Sequence, residues 1–179
     1  IVGWTVDKSG FTETSEASGV KLGYGTLVAE TAFKTVGGVT FTVKNTYSLG
    51  QTDSFVKAET SVKQESGGDW SNAYLWIGTR DDFVGTDDSP DKNKGNITSS
   101  GFTATTDQAD LANAVQTTSD AEGALFYSTA EGANSVIDSC CSWENTFDAD
   151  PVTSPLQDLN RDGSYGVAIP LGTLTTGTY

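Results

Sequence analysis

Apolar and polar side chains alternate with a two-residue period in several segments of this chain. In residues 39–44, "VTFTVK", the odd positions are apolar and the even positions are polar. Side chains of a β-strand point alternately to opposite faces, so this period predicts a strand with one buried face. The same signal, or a short apolar run, predicts strands at residues 2–6, 20–24, 56–63, 70–77, 124–128, 135–139 and 165–171.

Strands at short spacing, with Gly, Asn and Asp between them, predict an all-β chain. We expect a β-sandwich, Ig-like or jelly-roll-like, with long loops and a single domain spanning residues 1–179. One short helix is predicted near residues 107–117, where Leu111, Ala114 and Val115 recur at helical spacing. The final segment, "PLGTLTTGTY", begins to alternate as the sequence ends. We therefore expect a final strand from another chain or from sequence beyond residue 179.

The charge balance excludes several classes of function. Lys and Arg number 10 against 24 Asp and Glu, which gives a formal charge of −14 and makes nucleic acid a poor partner. The sequence has no histidine, so it holds neither a Ser–His–Asp triad nor a His-ligated metal. No apolar run approaches the roughly 20 residues of a membrane-spanning helix. The acids sit in Asp-rich segments without the apolar surroundings of a catalytic pair, so we expect no enzyme activity.

The stretch "DLNRDGSY" has two interpretations. Asp158, Asn160 and Asp162 alternate and are followed by Gly163, which is how a calcium-binding loop begins. The twelfth position of such a loop would be Ile169, which cannot supply the closing carboxylate. The alternative is a tight turn between two strands at the Asp–Gly pair.

A second acidic segment, residues 81–100, is charged and punctuated by Gly and Pro, and we predict that it is a surface loop. Its acids are candidate ligands for a hard cation: Asp81, Asp82, Asp87, Asp88 and Asp91. The alternative is a set of simply solvated carboxylates, partly offset by Lys92 and Lys94. We expect no required cofactor, and calcium is the one ion that these acidic segments are candidates to bind.

The same loop contains Asn96-Ile97-Thr98, an acceptor sequence for N-glycosylation. Asn96 is therefore a predicted modification site. The prediction assumes that the loop is accessible to the modifying enzyme.

Cys140 and Cys141 are adjacent and are the only cysteines. They can bond to each other, stay reduced and buried, or bond to another chain. In an oxidising compartment exposed free thiols are a hazard, which favours the vicinal bond over the reduced pair. An intermolecular bond would mean covalent assembly.

Two segments resemble immunoglobulin-like modules of microbial surface, adhesin and extracellular fibre proteins. "VTFTVKNTYSLG" resembles their strand-and-turn signature, and "NRDGSYGVAIPLGTLTTGTY" is similar to their closing hairpin. The resemblance implies the sandwich architecture and an extracellular or cell-surface location, and it implies no catalytic residue.

These observations predict an extracellular structural building block of a surface layer or filament, with copies of itself as partners. Residues 1–6 would supply the assembly strand, in which Val2, Trp4 and Val6 fill pockets of a neighbouring copy. The alternative function is a calcium-assisted carbohydrate-binding or adhesion module, with glycans as partners.

Overall fold

The computed structural model describes residues 1–15, 21–105, 111–120, 122–141 and 162–179. Within these ranges the chain is all-β, with antiparallel sheets and no helix, so the predicted fold class is confirmed at that level. Consequently the described residues include no helix that could cross a membrane. The chain divides into two compact units, Ile1–Ser71 with Thr173–Tyr179, and Asn72–Gly172.

Thirteen strands occur in the described residues, numbered along the chain. They are β1 (Gly3–Asp7), β2 (Phe11–Ser15), β3 (Lys21–Lys34), β4 (Thr40–Leu49), β5 (Lys57–Ser66), β6 (Trp70–Thr79), β7 (Asp91–Thr98), β8 (Gly101–Ala104), β9 (Ala114–Ser119), β10 (Glu122–Tyr127), β11 (Asn134–Ser139), β12 (Gly163–Leu174) and β13 (Gly177–Thr178). The alternating segments of the sequence therefore do form strands.

The first unit contains a six-stranded sheet in the order β1-β3-β4-β5-β13, with β2 paired to β3. Its apolar face follows from the alternation in β4. Phe41 is buried, stacks on Phe33 at 5.3 Å between ring centroids, and meets Trp70 edge to face at 5.7 Å. Val43 lies opposite Val62 on β5, so the apolar side chains of neighbouring strands share one face of the sheet.

The second unit contains two smaller sheets. One has the order β10-β9-β7-β8, and the other has the order β11-β12-β6. Val115, Ile137 and Tyr165 form its buried core cluster, and Phe126 packs edge to face on Tyr165 at 5.5 Å. Burial, and then the nearby Asp82 carboxylate, raise the pKa of Tyr165 to about 12.

The predicted helix is not found. Residues 107–110 lie outside the described residues, and the remainder of the segment runs into β9. Leu111, Ala114 and Val115 fit helical spacing, but Val115 and Thr117 are also two residues apart and both fully buried. β-branched Val and Thr favour a strand that pairs on both sides, as β9 does with β7 and β10.

The prediction of a surface loop at residues 81–100 is wrong over its second half. β7 occupies Asp91–Thr98 and pairs with both β8 and β9. Lys92 and Lys94 point inward and are buried, although composition suggested solvated charges. The error arises because a charged side chain can be buried when a partner of opposite charge meets it.

Candidate functional site

Four carboxylates of the second unit converge from two segments that are distant in sequence. Asp81, Asp82 and Asp88 lie between β6 and β7, and Asp162 directly precedes β12. One carboxylate oxygen from each residue lies within 4.8 Å of the others. We call these four residues the acidic cluster. The sequence places them in two separate candidate sites, and the fold brings them together.

Asp82 anchors the cluster in the protein interior. The Asp82 and Lys92 side chains are both 0% exposed, and Lys92 Nζ pairs with Asp82 Oδ2. The same oxygen accepts the Gly163 N–H at 2.9 Å, which connects the start of β12 to this carboxylate. Lys92 also donates to the Pro90 carbonyl at 3.1 Å. The other oxygen, Asp82 Oδ1, is buried and has no hydrogen-bond partner among the described residues.

Local hydrogen bonds position the neighbouring acid. The Asp81 N–H donates to Thr79 Oγ1 at 3.2 Å, and the Asp82 N–H donates to Asp81 Oδ1 at 2.9 Å. These bonds form a tight turn immediately after β6. The turn directs two consecutive carboxylates toward Asp88 and Asp162.

The carboxylates of the acidic cluster repel one another, and this repulsion affects their pKa values. Desolvation, followed by repulsion from nearby aspartates, raises the pKa of both Asp88 and Asp162. Burial also raises the pKa of Asp82, and the pairing with Lys92 only partly opposes it. Such a site favours any partner that adds positive charge, whether a proton or a cation.

Two other predicted ligands from the same segment lie outside the cluster. Asp87 Oδ2 accepts the Ser119 hydroxyl at 2.6 Å, and its Oδ1 accepts the Ser89 N–H at 3.0 Å. These bonds lower the pKa of Asp87, and they give this carboxylate a structural role. Asp91 is exposed at the start of β7 and belongs to neither acidic grouping of the described residues. Asp158 and Asn160 lie outside the described residues.

The cysteines border the acidic cluster. Cys140 and Cys141 form a vicinal disulfide across a cis peptide bond. The Cys140 N–H donates to the Asp162 carbonyl at 3.2 Å, and Cys141 Sγ lies 3.7 Å from Asp162 Oδ1. A disulfide offers no thiolate, so carboxylate oxygens make up the donor set here. An intermolecular bond between copies stays a prediction.

The predicted glycosylation residue lies on a strand instead of a loop. Asn96 is exposed on β7, and its Oδ1 accepts the Asn113 N–H at 3.1 Å. Modification at Asn96 stays a prediction.

A second candidate feature is the outer edge of β1 in the first unit. β1 is the end strand of its sheet and every one of its residues is exposed. Val2 and Trp4 are 70% and 71% exposed, and Val6 is 41% exposed. Trp4 lies opposite Thr31 on β3, which lies opposite Val43 on β4, so the apolar face continues outward to this edge.

The sequence predicts Lys92 to be a solvated offset to the acids, whereas its side chain is buried against Asp82. A signal was present in "DKNKGNIT", where both lysines fall on one face of an alternating strand. Comparison of the chain with protein-family models, curated proteins and solved structures finds no match.

Proposed function

We propose that this chain is an extracellular structural module of a surface layer or filament, an Ig-like β-sandwich whose copies assemble by joining sheet edges. The observation that carries the proposal is β1, an end strand with a row of exposed apolar side chains. Proteins usually protect such an edge with charge, proline or a covering segment. An edge that stays apolar and exposed is a template for pairing with another chain.

The opposite edge of the same sheet offers a complementary place to dock. β13 pairs with only part of β5, at Gln64 and Lys63, and Tyr179 continues the pairing at Val62. Residues 57–61 of β5 have no strand opposite them on this side among the described residues. This vacant edge is where we propose that a strand of another copy docks.

Joining β1 of one copy to residues 57–61 of the next would extend the sheet across both molecules. The two edges differ, so the contact is heterologous, and repeating it without closing into a ring produces an open filament. Main-chain hydrogen bonds supply the affinity, and Trp4 and Val6 extend the apolar face toward Ala58 and Thr60. Because β1 already pairs with β3, we propose that it joins the neighbour through its outer side while remaining in its own sheet.

The test places lysines on the proposed edge. The variant combines Trp4→Lys with Val6→Lys, and the matched control combines Val36→Lys with Gly37→Lys. Val36 and Gly37 are exposed residues of the turn between β3 and β4, away from both proposed edges, so the control adds the same charge. Particle size is measured by light scattering and electron microscopy across a concentration series.

We expect wild type and the control to form elongated particles and the edge variant to remain monomeric. Wild-type protein that stays monomeric at every concentration would contradict the proposal. So would equal loss of assembly in the edge variant and the control, because that would indicate a general effect of charge.

A further inference from the structure

We propose that the acidic cluster is a binding site for a divalent cation of the calcium class, held by Asp81, Asp82, Asp88 and Asp162. This inference is independent of edge assembly, because all four residues lie in the second unit and β1 lies in the first.

The observation that separates this cluster from solvated surface charge is the buried oxygen of Asp82. The side chain is fully buried, Oδ2 is used by Lys92 and by the Gly163 N–H, and Oδ1 has no partner among the described residues. A buried acceptor without a partner costs free energy, the more so when it carries charge. One Asp82 oxygen lies among the converging carboxylates, so a cation bound there would compensate the buried charge that leaves Oδ1 without a partner.

The donor set indicates which kind of cation fits. Carboxylate oxygens are hard ligands, and the neighbouring sulfurs are bonded to each other, so a thiolate-seeking metal is not favoured. Calcium takes 6–8 oxygen ligands in flexible geometry, whereas magnesium demands a near-ideal octahedron and keeps several waters. Carboxylates that meet from two irregular segments match the calcium pattern, with backbone carbonyls and water completing the shell.

Lys92 has a defined part in this site. Its ammonium group lies against Oδ2, so it holds the Asp82 carboxylate in place without occupying the oxygen that has no partner. A cation bound at Oδ1 therefore adds to the Lys92 pair and does not replace it. It would also tie Asp162, at the start of β12, to the turn that follows β6.

The test is calorimetric titration of chelator-treated wild-type protein with calcium chloride, and separately with magnesium chloride. Asp88→Asn and Asp162→Asn remove exposed ligands, so both variants should fold. Asp91→Asn is the matched control, since it makes the same charge change in the same segment but lies outside the cluster. Circular dichroism establishes that each variant retains the wild-type spectrum.

We expect calcium to bind wild type and the Asp91→Asn control with similar affinity, and magnesium to bind more weakly. Loss of a group that hydrogen-bonds a metal ligand typically weakens metal binding about 10–100-fold, so loss of a ligand should weaken calcium binding by roughly tenfold or more. Calcium should also raise the melting temperature of wild type more than that of Asp162→Asn at the same calcium concentration.

Wild-type protein that shows neither heat nor a melting shift with calcium would overturn the site. Equal weakening by all three substitutions would do the same, because it would indicate diffuse attraction to an acidic surface. The Trp4→Lys, Val6→Lys variant should bind calcium as wild type does, so failure of edge assembly and failure of the cation site can be distinguished.

Discussion

The two units of this molecule hold ion pairs in opposite environments, one exposed to solvent and one buried. In the first, charged residues lie on the exposed polar face of a regular sheet, where Lys57 and Glu59 pair at 3.0 Å with both side chains more than half exposed. In the second, Lys92 and Asp82 pair with no exposure at all. The first arrangement follows from the alternation of each strand, and the second requires segments that only the tertiary fold brings together.

The largest expected difference between the units concerns these two ion pairs. Replacing Lys92 by Met leaves the Asp82 charge buried without its ammonium partner, which should lower the free energy of unfolding by about 3–5 kcal/mol. The matched control, Lys57→Met, removes an ammonium group from an exposed pair and should change stability little. Urea denaturation of the two variants measures the difference.

The double variant Lys92→Met, Asp82→Leu sharpens this prediction. Replacing a buried pair by apolar residues of similar volume is often neutral or stabilising, so the double variant should recover part of the lost stability, although the Gly163 N–H loses its acceptor. If Lys92→Met were no more destabilising than Lys57→Met, the buried pair would not hold the second unit together in the way that we describe.

A smaller difference is expected in pH dependence. In the first unit, hydrogen bonds lower the pKa of Asp7, and Lys63 followed by Thr42 lowers that of Glu65. In the acidic cluster, desolvation and repulsion raise the pKa of Asp88 and Asp162 above the ordinary value of 3.8. Titration of each carboxyl by nuclear magnetic resonance should give a pKa below the ordinary value for Asp7 and Glu65. It should give a pKa above the ordinary value for Asp88 and Asp162.

The sign of the stability change follows from proton binding. A carboxyl with a lowered pKa contributes stability above its ordinary value, and that stability is lost as the pH falls through the lowered pKa. A carboxyl with a raised pKa binds more protons in the folded state, so stability falls as the pH rises from 3.8 through the raised pKa. Calcium should lower the raised pKa values of Asp88 and Asp162, because a bound cation favours the ionised carboxylates. Titration midpoints of these two residues that calcium leaves unchanged would count against the cation site.

The strands of the first unit could be predicted better from the sequence, because the spacing of side chains within each strand is local information. The spacing of Phe41 and Val43 alone predicts a strand with one apolar face. Their partners lie on the neighbouring strands of the sheet. Local spacing misled the prediction at Val115, which satisfies both a helical and a two-residue period. There, pairing of β9 with β7 and β10 decided the outcome.

The acidic cluster could be predicted only in part. The sequence identified each of its carboxylates as a candidate ligand, because the residue types suffice for that. It could not show that Asp162 meets Asp81 or that Asp82 is buried, since those facts depend on contacts between distant segments. Nor could it exclude Asp87, whose carboxylate is occupied by Ser119.

The proposed pairing of β1, through its outer side, with another copy can be measured at the strand itself. Hydrogen–deuterium exchange of residues 1–10, followed by mass spectrometry from dilute to concentrated protein, is that measurement. We predict that exchange at β1 slows as particles form, that residues 57–61 slow with it, and that the peptide around β9 is unaffected. Particles that grow while exchange at β1 stays as fast as in the monomer would contradict the claim.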